Sequence, residues 1–302
     1  MNKIKNKNKN NFLAWIYCLP ALVIISFIII LPILSTVRIS FTNMSIYNWN
    51  SYKNVGLQNY KKALTSLDSG FLNALLITML WTAITMFIQL VLAFLIALGL
   101  NFKYLYGKTF FKTILMFPWA IPAYIGILLW RMGLLNTEFG FLNQLIKSVG
   151  FNSINYLSKP INVFITCLVV NLWLALPYMI TMMDGAINSI DESIYESAMI
   201  DGANYWTVRF RITVPLIKPI LMSSIIMTTF ITFKQFDTIY LMTMQRGSVT
   251  GAEIHSLMTY VYERAFITNA YGYSGAVSVI VFIIILFLSV IMQLDFLRGD
   301  KR

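Results

Sequence analysis

Residues 71–98 read FLNALLITMLWTAITMFIQLVLAFLIAL, and this stretch decides the fold class. It contains no Asp, Glu, Lys or Arg, and the charge-free run around it extends from Ser69 to Phe102. A helix needs roughly 20 apolar residues to cross a hydrocarbon core of about 30 Å, and this run exceeds that. Helix is the required form, because lipid offers no hydrogen-bond partner to an open backbone group.

The same signature recurs outward in both directions. There is no charge from Asn10 to Val37, from Thr113 to Trp130, from Pro160 to Met183, or from Ala265 to Leu294. A further stretch, Pro219 to Thr243, is as apolar but carries Lys234 and Asp237. The reading is an all-α membrane protein with six transmembrane helices. Pro118, Pro122 and Pro177 fall inside spans, where proline kinks a helix beside a cavity. Composition agrees. The 302 residues are 58% hydrophobic and 12% charged, against about 45–50% and 25% in soluble domains. The mean hydropathy is +0.70. A soluble enzyme and a disordered chain are both excluded.

The formal charge of +11 reads as a topology signal and not as a nucleic-acid footprint. With the N-terminus inside, segments 1–12, 99–112, 184–218 and 295–302 hold 13 Lys+Arg in 69 residues. The opposite segments, 38–70, 131–159 and 244–274, hold 9 in 93. This density places both termini in the cytoplasm. Lys3, Lys5, Lys7 and Lys9 precede a first apolar run too long for a signal peptide's core, with no A-x-A-like site before Arg38. It reads as an uncleaved anchor. Cys18 and Cys167 lie in apolar runs and read as packed thiols, and the single His255 makes no metal site alone. Aromatic residues crowd two outside segments, Phe41, Tyr47, Trp49, Tyr52 and Tyr60 in the first and Tyr260, Tyr262, Tyr271 and Tyr273 in the last. They fit an interfacial belt or a docking surface equally well.

Segment 184–218 is the longest inside loop. Ser193 is placed to cap a helix, with Glu196 three residues on at capping-box spacing. A short helix over 196–200 is expected, ended by Gly202 in a left-handed conformation. A second short helix over 204–211 would carry Trp206 and Phe210 on one face. Pro215 and Pro219 would then stop it and restart the chain as the next span. The product is a helix–turn–helix knob below the membrane, shaped for another protein's groove.

The residues of this loop are Glu196-Ser197-Ala198-Met199-Ile200-Asp201-Gly202-Ala203, followed by Ile212-Thr213-Val214-Pro215. They resemble the loop of ABC importer permease subunits, which reads E-A-A, three residues, G, nine residues, I-x-L-P. The spacing is the same throughout, and five of seven fixed positions match: Glu196, Ala198, Gly202, Ile212 and Pro215. Ser197 replaces Ala and Val214 replaces Leu. A weaker resemblance to maltose-type sugar permeases spans about Phe71 to Phe296. It rests on Phe233-Lys234-Gln235-Phe236-Asp237-Thr238-Ile239-Tyr240-Leu241-Met242-Thr243 and on Tyr271-Gly272-Tyr273-Ser274-Gly275-Ala276. Where that subfamily carries Gly-Gly-Pro, this chain has Gln245-Arg246-Gly247-Ser248.

The resemblance implies a type I ABC importer permease fold with cytoplasmic coupling helices, in a bacterial cell membrane. Domain organisation follows: a tail, first span and external segment over 1–70, the permease domain over 71–294 with its coupling loop at 184–218, and a tail over 295–302. It implies a second homologous permease, two ATPase subunits and an external solute-binding protein. No cofactor belongs to this chain, since ATP and Mg sit on the partner ATPases. Contact with those ATPases would fall to Glu196, Ser197, Ala198, Asp201, Gly202, Ala203, Arg209, Ile212 and Pro215. Glu196 would meet a basic residue, and Gly202 would permit the sharp turn. Gly107-Lys108-Thr109 matches the end of a P-loop, but Phe102 stands where the first glycine belongs and no strand precedes it. The chain therefore reads as a non-catalytic transport subunit.

Polar residues inside spans face a cavity or another helix. Thr78, Thr82, Thr85 and Gln89 share one face of the second span, and Thr228, Thr232 and Gln235 one face of the fifth. Asn171, Trp173 and Tyr178 lie in the fourth, beside Pro177. Such amides and aromatic rings suit a sugar's hydroxyls and ring faces, and they equally suit interhelical hydrogen bonds. Lys234 and Asp237, three residues apart on a helix, either pair with each other or line the pathway. The cargo is read as a sugar, with a polyol, a glycerol phosphate or another polar solute as the alternative. A secondary carrier would show internal repeats with ions at broken helices, which are not apparent. A membrane enzyme would need a nucleophile–base set that no segment shows.

Overall fold

The computed structural model describes residues 17–65, 70–102, 104–243 and 254–299, with side chains to 294. Lys3, Lys5, Lys7, Lys9 and the Gln245–Ser248 replacement lie outside the described residues.

The elements in order are α1 (Tyr17–Ser40), α2 (Gln58–Thr65), α3 (Phe71–Leu100), α4 (Lys108–Ala120), α5 (Ala123–Leu134), α6 (Phe141–Ser148), α7 (Pro160–Asn188), α8 (Glu192–Ile200), α9 (205–233), α10 (Asp237–Thr243), α11 (Leu257–Tyr262) and α12 (Tyr271–Gly299). Among the described residues five stretches are long and apolar enough to cross a membrane, six when α4 and α5 count as one span. That pair corrects the expected third span. Ile121 is extended and Pro122 precedes α5, so the two halves meet at 92°. Proline disfavours helical backbone in the residue before it, and Ile121 is that residue.

Two compact units divide the chain. The first takes Met1–Phe71 and Val261–Ile284. Within it, the Gly272 amide donates to the Met44 carbonyl at 2.9 Å. A Cβ on Gly272 would stand 2.0 Å from the Thr42 carbonyl oxygen, and one on Gly275 would stand 3.2 Å from that of Thr36. The two glycines let the start of α12 lie directly on the chain at the end of α1. Trp49 packs edge-on to Tyr271, and Lys62 lies over the Tyr273 ring.

The second unit takes Leu72–Tyr260 and Ile285–Arg302. One apolar cluster joins Trp81 of α3, Ile127 of α5, Val163, Cys167 and Val170 of α7, and Ile239 and Met242 of α10. A second joins Ala93 and Ala97 of α3 to Met179 and Met183 of α7 and to Ile217 and Leu221 of α9. The alanines, both fully buried, are small enough to let these helices approach closely.

The helix expected over 204–211 is not a separate element. Tyr205–Thr207, a π-helical stretch Val208–Thr213 and Val214–Phe233 run on without a break. Neither Pro215 nor Pro219 stops the chain. The widened turn has the Val214 amide donating to Arg209, five residues back. The π stretch shifts the carbonyls ahead of Pro215 out of the usual register, where a proline ring would meet them. The chain breaks instead at 234–236, between α9 and α10.

Candidate functional site: an exposed helical knob on a polar-cored bundle

Three residues, 189–191, separate the end of α7 from the start of α8. Its N-cap is Asp191, whose carboxylate accepts the Ser193 amide at 2.9 Å. Asp191 therefore does the work expected of Ser193, and the helix starts at Glu192. That hydrogen bond from the backbone, with a second from the Ser193 side chain, holds the Asp191 carboxyl below its ordinary range. The far end closes as a Schellman turn. The Ala203 amide donates to the Ala198 carbonyl at 2.9 Å, and the Gly202 amide donates to Met199 at 3.1 Å. Gly202 sits at φ +75°, and a Cβ there would meet nothing within 4 Å. The demand for glycine is therefore conformational and not steric. The spacing between Ala198, Gly202 and Ala203 is the spacing of this cap.

Ala198 is buried, while Glu196, Ser197, Asp201 and Gly202 are exposed and Ala203 is half-buried. Met199 and Ile200 stand out at 63% and 86% exposure. Trp206 and Phe210 stack at 5.8 Å on one face of α9, as their spacing predicts. Arg209 turns inward: its guanidinium lies 5.8 Å from the Tyr195 ring and 5.0 Å from the Tyr205 ring. The Tyr195 and Thr213 hydroxyls meet at 3.2 Å. Ile212 is half-buried and Pro215 exposed. The result is a stiff, capped helix pinned to the foot of α9, with an apolar tip and a free carboxylate on its outer face. The roles of Asp191, Tyr195 and Thr213 had no motif to announce them, although Asp two residues before Ser is an ordinary Asx turn.

Inside the second unit, α3, α7 and α9 turn polar side chains toward one another. Gln89 is fully buried and its amide donates to the Ala175 carbonyl at 3.0 Å, two residues before Pro177. Its Oε1 has no partner, and neither do the buried hydroxyls of Thr85 and Thr228. Thr232 is buried against Met86, and Asn171 is buried on α7. Trp173 packs against Trp130, and Tyr178 against Trp119. Thr78 and Thr82 bond back to their own helix, and Thr78 also accepts the Leu257 amide. Gln235 donates to Thr238 at 2.8 Å. Lys234 and Asp237 do not form the expected pair. Lys234 caps the end of α9 and Asp237 starts α10, so the break removes the helical spacing that would bring them together, and both are exposed. Among the described residues no group of His, Cys, Asp or Glu could hold a metal ion.

A family model described as "Binding-protein-dependent transport system inner membrane component" matches residues 89–297. The chain belongs to this family. It is a membrane-spanning, non-catalytic transport subunit. It is 28% identical over 288 residues to the trehalose/maltose transport system permease protein MalF of Thermococcus litoralis, covering 95% of this chain and 94% of that one. It is 30% identical over 278 residues to the galactooligosaccharides transport system permease protein GanP of Bacillus subtilis, covering 88% and 66%. Its fold is similar to a chain in the crystal structure of a bacterial ABC transporter involved in the import of the acidic polysaccharide alginate. That match has a TM-score of 0.82 at 20% identity and covers 98% and 99% of the two chains.

Proposed function

We propose that this chain is a permease subunit of an ATP-driven, binding-protein-dependent sugar importer of a bacterial cell membrane, with both termini and the α8 knob in the cytoplasm. The observation that carries the reading is the knob itself, a short helix capped at both ends, apolar at its tip and projecting from a membrane bundle. A cytoplasmic ATPase grips α8, with Glu196 offered to a basic side chain. Closure of the ATPase pair on ATP draws this knob and its counterpart on a second permease together. A binding protein delivers solute from outside. Sugar-transporting relatives support the choice of cargo, as do the buried polar groups of α3, α7 and α9.

Those groups supply the pathway. Unpartnered acceptors and hydroxyls in a low-dielectric interior are costly unless something polar passes by. Gln89, Thr85, Asn171 and Thr232 offer hydrogen bonds to sugar hydroxyls, and Trp173 and Tyr178 offer ring faces. Lys234, Gln235 and Asp237 stand at the break that ends α9. Arg209 serves the ATPase contact indirectly, by holding Tyr195 and Tyr205 in place.

Purification of the tagged chain from native membranes tests the machine. The expected result is co-purification of an ATPase and a second permease, with ATP hydrolysis stimulated by binding protein loaded with an oligosaccharide. Absence of any ATPase would overturn the reading. Stimulation by a polyol or a glycerol phosphate, and by no sugar, would reassign the cargo.

A further inference from the structure

Three helix ends meet at Asp184. Its Oδ2 accepts Lys112 Nζ of α4 at 2.6 Å, and its Oδ1 accepts Asn101 Nδ2, just beyond α3, at 2.8 Å. Asn188 Nδ2, one turn along α7, donates to the Asp184 carbonyl at 2.7 Å and to Oδ1 at 3.1 Å. Both carboxylate oxygens are engaged. Lys112 and Asp184 form an ion pair whose side chains are 43% and 14% exposed. Sequence reading placed Asp184 at the start of a loop, but α7 runs on to Asn188 and makes it a helical residue.

A pocket opens beside this cluster. A cavity of about 170 Å³ lies between α4 and α7, walled by Leu115, Met116, Pro177, Ile180 and Thr181 together with Lys112 and Asp184. α4 packs along α7, and beside this cluster the pocket leaves that packing room to adjust. Pro177 removes one backbone hydrogen bond two turns earlier, so the last turns of α7 have a place to bend. Only residues 189–191 separate α7 from α8.

We infer that Lys112, Asp184 and Asn101 form a polar joint that makes α4 and the end of α3 follow the last turns of α7 when the knob is moved. Asp184 and Lys112 are positioning residues: they touch neither solute nor ATPase, and they act through α8. A charged joint of this kind tolerates changes of angle that a packed apolar seam does not, because an ammonium can rotate about a carboxylate and keep its contact. The inference rests on the coupling role proposed above for α8.

The test uses the assembled complex with its own ATPase and binding protein in proteoliposomes, and reads solute imported per ATP hydrolysed. Lys112→Gln and Asp184→Asn are expected to lower this ratio at least fivefold with recovery of the complex unchanged. The exchanged pair Lys112→Asp with Asp184→Lys is expected to return it to within twofold of the original chain. A wild-type ratio in the single variants overturns the joint, and so does a loss that the exchange does not repair. Lys112→Gln carries the test if Asp184→Asn fails to assemble, because Lys112 is already half in solvent. The unaltered complex is the control: if it holds no ATPase, the coupling reading fails before the joint is tested.

Discussion

Three residues of the knob show how few atoms its shape depends on. Gly202 holds a left-handed backbone that costs an L-residue roughly 1–2 kcal/mol. Gly202→Ala should leave the spans intact, fray the end of α8 and reduce ATPase retained through purification, which densitometry of the eluted complex would read. Glu196 is exposed and makes no contact that holds the fold. Glu196→Arg should leave thermal stability unchanged and lose one charge-assisted contact of about 1.5–3 kcal/mol, a roughly 10- to 100-fold weaker grip on the ATPase. Equal retention by both variants would place the docking surface elsewhere. Asp191 titrates in the ordinary sense for a depressed carboxyl. Its cap is fully present above the usual Asp range and is lost as pH falls through the lowered value, so the cap is in place at neutral pH. Gly202 was readable from sequence because only glycine suits such a turn. Asp191 was not, because Asp191, Ser193 and Glu196 all fit the start of a helix, and geometry alone chose between them.

At the scale of elements, the spans were legible wherever charge stopped and apolar residues continued, since lipid penalises both charge and open backbone. What charge gaps could not show was continuity. Pro215 follows a widened turn and lets the helix pass, whereas Pro122 sits at a 92° corner. A proline states which hydrogen bond is missing and not whether neighbouring turns can absorb the loss. The break at 234–236 was equally hidden, because FKQFD carries no proline or glycine. The Tyr271–Ala276 motif carried a demand that only packing reveals. Gly272→Ala would drive a methyl into the Thr42 carbonyl, at a cost on the order of 1–3 kcal/mol. A lower melting temperature in detergent and faster proteolysis near the end of α1 would show it. Gly99, with open space around it, should accept alanine without such a change.

At the scale of the whole molecule, the function proposed above gives the polar core and the break to transport and the knob to its energy supply. Lys234→Ala should lower uptake several-fold while the complex assembles normally, and unchanged uptake would remove Lys234 from the pathway. Gln89→Leu should fill the same volume with apolar surface and abolish the unpartnered acceptor. The expected outcome is a more heat-stable chain that imports less, measured by melting temperature and radiolabelled uptake together. The unbroken run from residue 205 to 233 has a mechanical consequence. At 1.5 Å per residue it is a rod of about 43 Å. Trp206 and Phe210 lie at one end and the Lys234 break at the other. Tilting such a rod by roughly 10° about its foot carries the far tip roughly 7 Å. A lever of those proportions turns a slight nod at Trp206 into a displacement as wide as a sugar ring at Lys234.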